Sequence, residues 1–127
     1  MAKKILIIDD DADFREAITT LLESKGYTVY AAEDGKSGLE KALKEIPDLI
    51  MLDVMMAHST EGYEVARDFR DNPKTKNIPV IMVTGVKKEM DLGFDVDPDD
   101  YWLPVKAVVE KPIKGEKLLK LIKENLK

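Results

Sequence analysis

The chain has 127 residues, enough for one domain with a buried core, and residues 1–127 are read as a single domain. It has no cysteine, which excludes a disulfide framework and a thiolate metal site and allows a reducing compartment. A net charge of −5 with acids and bases interspersed argues against a nucleic-acid surface, and the apolar run Ile5–Ile8 is too short for a signal peptide or a membrane span.

In chain order, Lys4–Ile8 reads as a continuous apolar strand of the kind buried on both faces of a parallel sheet. It stops at Asp9, Asp10 and Asp11. Phe14, Ala17, Ile18, Leu21 and Leu22 then recur at helical spacing, with Asp11 or Asp13 as N-cap and Gly26 as the stop. Tyr27–Ala31 predicts a second strand. Asp34–Gly35 turns the chain into a helix with Leu39, Ala42, Leu43 and Ile46 on its inner face, ended by Pro47. "DLIMLD" is a third strand ending at Asp53, followed by a loop over 54–61 and a helix with Tyr63, Val65, Ala66 and Phe69 inward. "IPVIMVT" is a fourth strand ending at Thr84, and "AVVEK" a fifth ending near Lys111. Leu118, Leu119, Ile122 and Leu126 mark a last amphipathic helix. Strands alternating with helices mean βαβ units and an open, doubly wound parallel sheet of five strands, covered on both sides.

In such a sheet the carboxyl ends of the strands share one edge, where ligands bind. Asp9, Asp10, Asp53, Thr84 and Lys111 each stand at such an end, so residues a hundred positions apart converge on one pocket. Carboxylates held close together need a cation. An oxygen-only donor set that keeps some water suits Mg²⁺. Asp53, alone at its strand end, is the natural nucleophile, since a carboxylate accepts a phosphoryl group as an acyl phosphate. Thr84 can donate a hydrogen bond to a phosphoryl oxygen and Lys111 can pair with another.

With these residues in place the chain resembles the receiver domain of bacterial two-component response regulators. The resemblance rests on "ILIIDDD", "PDLIMLDVMM", Gly62, "IPVIMVTG" and "VVEKPI", in that order from Lys4 to Ile113. It implies a flavodoxin-like, three-layer fold with strand order 2-1-3-4-5. It implies that Asp10 ligates Mg²⁺ directly, that Asp9 acts through a coordinated water, that Asp53 is both phosphoacceptor and ligand, and that the backbone carbonyl of Met55 completes the set. Thr84 is then the switch hydroxyl, Gly85 gives the phosphoryl group room, Lys111 bridges to it, and the Lys111–Pro112 bond is cis. The implied partners are a sensor histidine kinase or histidine phosphotransfer protein and a downstream output. The switched surface is that of the fourth helix, fifth strand and last helix, with dimerisation on phosphorylation as one outcome. The implied setting is cytoplasmic, with no direct nucleic-acid or membrane partner, as either a stand-alone receiver or part of a larger regulator. The implied role is that of a signalling domain, not an enzyme.

The chain departs from that pattern at three places. Ala57 stands where the family usually has proline, and Gly62 comes one residue late. Val108 stands where a rotating aromatic or histidine is usual, and an apolar β-branched side chain cannot swing between solvent and interior in that way. The stretch 86–106 is longer than typical and broken by prolines and Gly93, so a short or irregular helix is expected there, with Phe94, Tyr101 and Trp102 packed back on the domain or offered to a partner. Two further signals are set aside. His58 lacks the neighbours of a zinc site. Asp95, Asp97 and Asp99 begin like a calcium loop, but Asp100 and Lys106 stand where that loop needs Gly and Glu. The lysines of the last helix are its solvated face. Two other functions are compatible with the same sheet: an interaction module that signals without phosphorylation, and an aspartyl phosphohydrolase. The second is disfavoured because Val54, Met55 and Met56, and no acid, follow Asp53.

Overall fold

A computed structural model describes residues 3–53, 61–84, 107–110 and 114–126, with side chains except at 53, 61–64, 84 and 107–110. Five strands, β1 (Lys4–Ile8), β2 (Thr28–Ala32), β3 (Leu49–Asp53), β4 (Val80–Thr84) and β5 (Ala107–Glu110), pair in parallel in the order β2-β1-β3-β4-β5. Four helices are described: α1 (Ala12–Ser24), α2 (Gly35–Glu45), α3 (Glu61–Asp71) and α4 (Gly115–Asn125). Alternate strand residues face opposite sides, so each side of the sheet needs its own cover. Leu6, Ile8, Ile50, Leu52, Val80 and Met82 pack with Ala42 of α2 and Val65, Ala66 and Phe69 of α3. On the other side Ile5, Ile7, Leu49, Met51, Ile81 and Val83 pack with Ile18 and Leu22 of α1 and Leu118 and Ile122 of α4. This is the expected flavodoxin-like layering.

Local chemistry sets the helix ends. Asp11 caps α1, its carboxylate accepting from the Asp13 and Phe14 amides; Asp13 falls in the first turn. The end of α1 is a Schellman motif: Tyr27 N–H donates to the Leu22 carbonyl and Gly26 N–H to that of Glu23, with Gly26 at φ 90°. That use of Tyr27 is why β2 starts at Thr28, one residue later than the sequence suggests. Asp34 caps α2 through a capping box with Ser37. At the end of α3, Pro73 has no N–H to give the Phe69 carbonyl, and the buried Thr75 hydroxyl donates to it instead at 2.7 Å.

Other expectations are corrected. Ala17 is exposed and not on the inner face of α1. Ile46 is 44% exposed at φ 45°, because the following Pro47 disfavours a helical conformation and the chain leaves α2 through the left-handed region. β4 begins at Val80 because Ile78 N–H still closes a turn onto the Thr75 carbonyl. Leu126 is the C-cap of α4, not a position within it. The loop 54–60 with His58, the segment 85–106 with its aromatics, and Lys111–Pro112 lie outside the described residues, as do the side chains of Tyr63 and Val108.

Candidate functional site

The register of the sheet brings the predicted strand ends together. Ile8 pairs with Leu52, so Asp9 and Asp53 are the next residues on adjacent strands, whose spacing is about 4.8 Å. Asp53 pairs with Val83, which Thr84 follows, and Thr84 pairs with Glu110, which Lys111 follows. Backbone pairing alone thus sets Asp9, Asp53 and Thr84 along one edge of β1, β3 and β4. Met55 and Lys111 lie outside the described residues.

The three consecutive acids have three different roles. Asp9 is buried, with 1% of its surface exposed. Its N–H continues the ladder to the Ala32 carbonyl at 3.0 Å, and its carboxylate accepts the Asp11 amide at 2.8 Å. Asp10 is exposed. Asp11 is spent on the helix cap. A carboxylate buried as deeply as that of Asp9 is costly unless hydrogen bonds or a cation compensate, and the amide of Asp11 supplies the first. The donor set on this edge, a buried carboxylate beside a solvated one with a third acid on the next strand, consists of hard oxygens and fits a hydrated divalent cation such as Mg²⁺. The described side chains alone hold no cluster of three acidic, histidine or cysteine groups; the side chain of Asp53 is not among them.

Arg15 is the residue that sequence reading missed. Its guanidinium donates to the Asp9 carbonyl, and its own amide donates to that of Asp11 at 3.0 Å. A signal was present: Arg15 is a cation in the first turns of α1, where the helix dipole disfavours positive charge. An open cleft of about 350 Å³ is lined by Arg15, Ala31, Ala32, Glu33, Ser37 and Lys41.

Comparison with known proteins agrees with this fold. The family model described as response regulator receiver domain matches residues 5–123. Chemotaxis protein CheY4 of Vibrio cholerae is similar at 28% identity and a TM-score of 0.82, over 99% of this chain and 100% of that one. A putative response regulator from Chloroflexus aurantiacus is 27% identical with a TM-score of 0.80, over 98% of each chain. The receiver domain of a sensor histidine kinase from Pseudomonas aeruginosa, solved with a magnesium ion coordinated in the active site cleft, shares the fold at 22% identity and a TM-score of 0.82, over 98% of this chain and 97% of that one. With its strand order, its acidic edge and a family match over nearly all its length, the chain belongs to the response regulator receiver domain family of two-component signalling.

Proposed function

We propose that residues 1–127 act as one receiver that takes a phosphoryl group onto Asp53 from a histidine kinase or histidine phosphotransfer protein, in a Mg²⁺-dependent reaction. In the transfer, a carboxylate oxygen of Asp53 attacks phosphorus and the P–N bond of the donor phosphohistidine breaks. The electron pair leaves with the imidazole nitrogen, which then takes a proton. Asp9, Asp10, Asp53 and the Met55 carbonyl would hold the ion; when bound, Mg²⁺ neutralises charge on the phosphoryl oxygens. Thr84 donates its hydroxyl to one of those oxygens and Lys111 pairs with another. The new charge at the strand ends shifts an existing two-state equilibrium of the 86–106, β5 and α4 surface, which then engages an output partner or a second copy. The product is a signalling state, so the role is not that of a turnover enzyme.

The observation that supports this reading most is the register that aligns Asp9, Asp53 and Thr84 on one sheet edge. A related receiver carries magnesium in its cleft, in keeping with the oxygen donors here. Among the described residues no helix is long and apolar enough to cross a membrane; the cytoplasmic setting is part of the proposal and rests on the family. The test is intact-mass measurement after a small-molecule phosphodonor, with Mg²⁺ or with chelator. One added phosphoryl group that requires Mg²⁺ is expected. No mass gain under either condition would instead favour an interaction module that signals without phosphorylation, and steady turnover of phosphate esters would favour a phosphohydrolase.

A further inference from the structure

We infer that Arg15 is a positioning residue for the divalent-ion site: it acts by holding the backbone carbonyl of Asp9. The inference rests on the reading of Asp9 and Asp10 as ion ligands. Beyond Ile8 the β1 ladder runs out. The N–H of Asp9 still reaches the Ala32 carbonyl of β2, but its carbonyl leaves the sheet, and the guanidinium of Arg15 meets it from α1. Two further bonds close the loop. Asp11 N–H donates to the Asp9 carboxylate, and Arg15 N–H donates to the Asp11 carbonyl. Residues 9, 11 and 15 therefore form one hydrogen-bonded unit, and Asp10, the exposed acid, is carried inside it.

This arrangement fixes both flanking peptides of Asp10, and with them the direction in which its carboxylate leaves the backbone. A donor with a charged, planar head suits the task, because it gives a short, oriented hydrogen bond to a carbonyl at the end of the ladder. The location of Arg15 runs against two simple preferences. Positive charge is unfavourable in the first turns of a helix, and a cation beside a metal site repels the metal. A charge-only role would make Arg15 an antagonist of ion binding, whereas the hydrogen bonds make it a support. The two effects have opposite signs, and substitutions separate them. Partners that orient a metal ligand in this way change metal affinity by about 10–100-fold when removed.

The experiment is titration of the unphosphorylated full chain with MgCl₂, followed by calorimetry, for wild type, Arg15→Met, Arg15→Gln and Asp10→Asn. Thermal melts without metal are recorded alongside. Arg15→Met removes both charge and donor; Arg15→Gln removes the charge and keeps an N–H donor. The expected result is Mg²⁺ affinity weakened roughly tenfold in Arg15→Met and largely restored in Arg15→Gln, with similar melts for both. Equal or tighter binding in Arg15→Met than in wild type would overturn the inference and leave Arg15 as a repelling charge. If Arg15→Met does not fold, Arg15→Ala, the strongest helix former, takes its place under the same criteria. Absence of Mg²⁺ binding by wild type, or binding unaffected by Asp10→Asn, would overturn the ion-site reading itself, a different failure.

Discussion

Gly38 sets how closely α2 approaches the strand that delivers the acidic pair. A Cβ built at Gly38 would lie 2.5 Å from Ile8 Cδ1, 2.8 Å from Cγ1 and 3.2 Å from Cγ2. Ile8 is fully buried and immediately precedes Asp9, and its β-branched side chain has few rotamers into which to retreat. Gly38→Ala therefore sets two terms against each other. Alanine gains about 1 kcal/mol of helix propensity over glycine, while overpacking of a filled core costs about 1–3 kcal/mol. With two branches of Ile8 in conflict the upper half of that range applies, and a net loss of about 1 kcal/mol is expected. Urea unfolding followed by circular dichroism measures it. Ile8→Val removes the nearest atom, Cδ1. Although it costs about 0.5–1.5 kcal/mol by itself, the double variant should be more stable than the sum of the single effects by about 1 kcal/mol. A Gly38→Ala protein more stable than wild type, with no coupling to Ile8→Val, would refute the close approach.

Three other outcomes are expected. The Ser37 amide and hydroxyl, bonded to the Asp34 carboxylate, hold its pKa below the usual carboxylate value. The charge of Asp34 thus contributes stability that is complete above the ordinary carboxylate range near pH 4 and is lost as pH falls through the lower folded value. The stability difference between wild type and Asp34→Asn should shrink to nothing over that acid interval, as thermal melts at stepped pH would show. Thr75→Val keeps the shape but strands the Phe69 carbonyl, and should cost about 1–3 kcal/mol in urea unfolding. In the family that the chain resembles, the positions two beyond the phosphoacceptor and two beyond the threonine influence how water reaches the acyl phosphate. Here they are the apolar Met55 and Val86, so under the proposed function loss of phosphate should be slow and should speed up in Met55→Asn and Val86→Glu, measured by mass against time.

The strands were legible because runs such as ILII and LIML are apolar without alternation, which only a sheet covered on both faces explains. The strand-end acids followed from the same pattern, since every parallel strand delivers its last residue to one edge. Asp11, one of the two acids offered as the cap of α1, was readable from its position ahead of apolar periodicity; Asp34 was legible only as the turn into α2, and its capping box with Ser37 is seen in the structure. Less legible were features set by three-dimensional partners. Helical spacing put Ile46 inside, but Pro47 turned its backbone out. The spacing of α1 suggested burial of Ala17, which the sheet does not reach. Arg15 drew no reading from the sequence: its place in the first turns of α1 was the one signal, and its partner is a backbone carbonyl, which side-chain patterning does not reveal. Gly38 gave no signal, since a glycine within a helix reads as a weakness until the neighbouring strand is seen against it.

The central claim is that Asp53, at the end of β3 and next to Asp9 in register, is the carboxylate that becomes phosphorylated. The most direct measurement is borohydride reduction of the phosphodonor-treated chain, which converts an aspartyl phosphate to homoserine, followed by peptide mass mapping. Homoserine at position 53 in wild type, and at no position in Asp53→Asn, is expected. Homoserine at another acid in the wild-type chain, or a mass gain undiminished in Asp53→Asn, would contradict it.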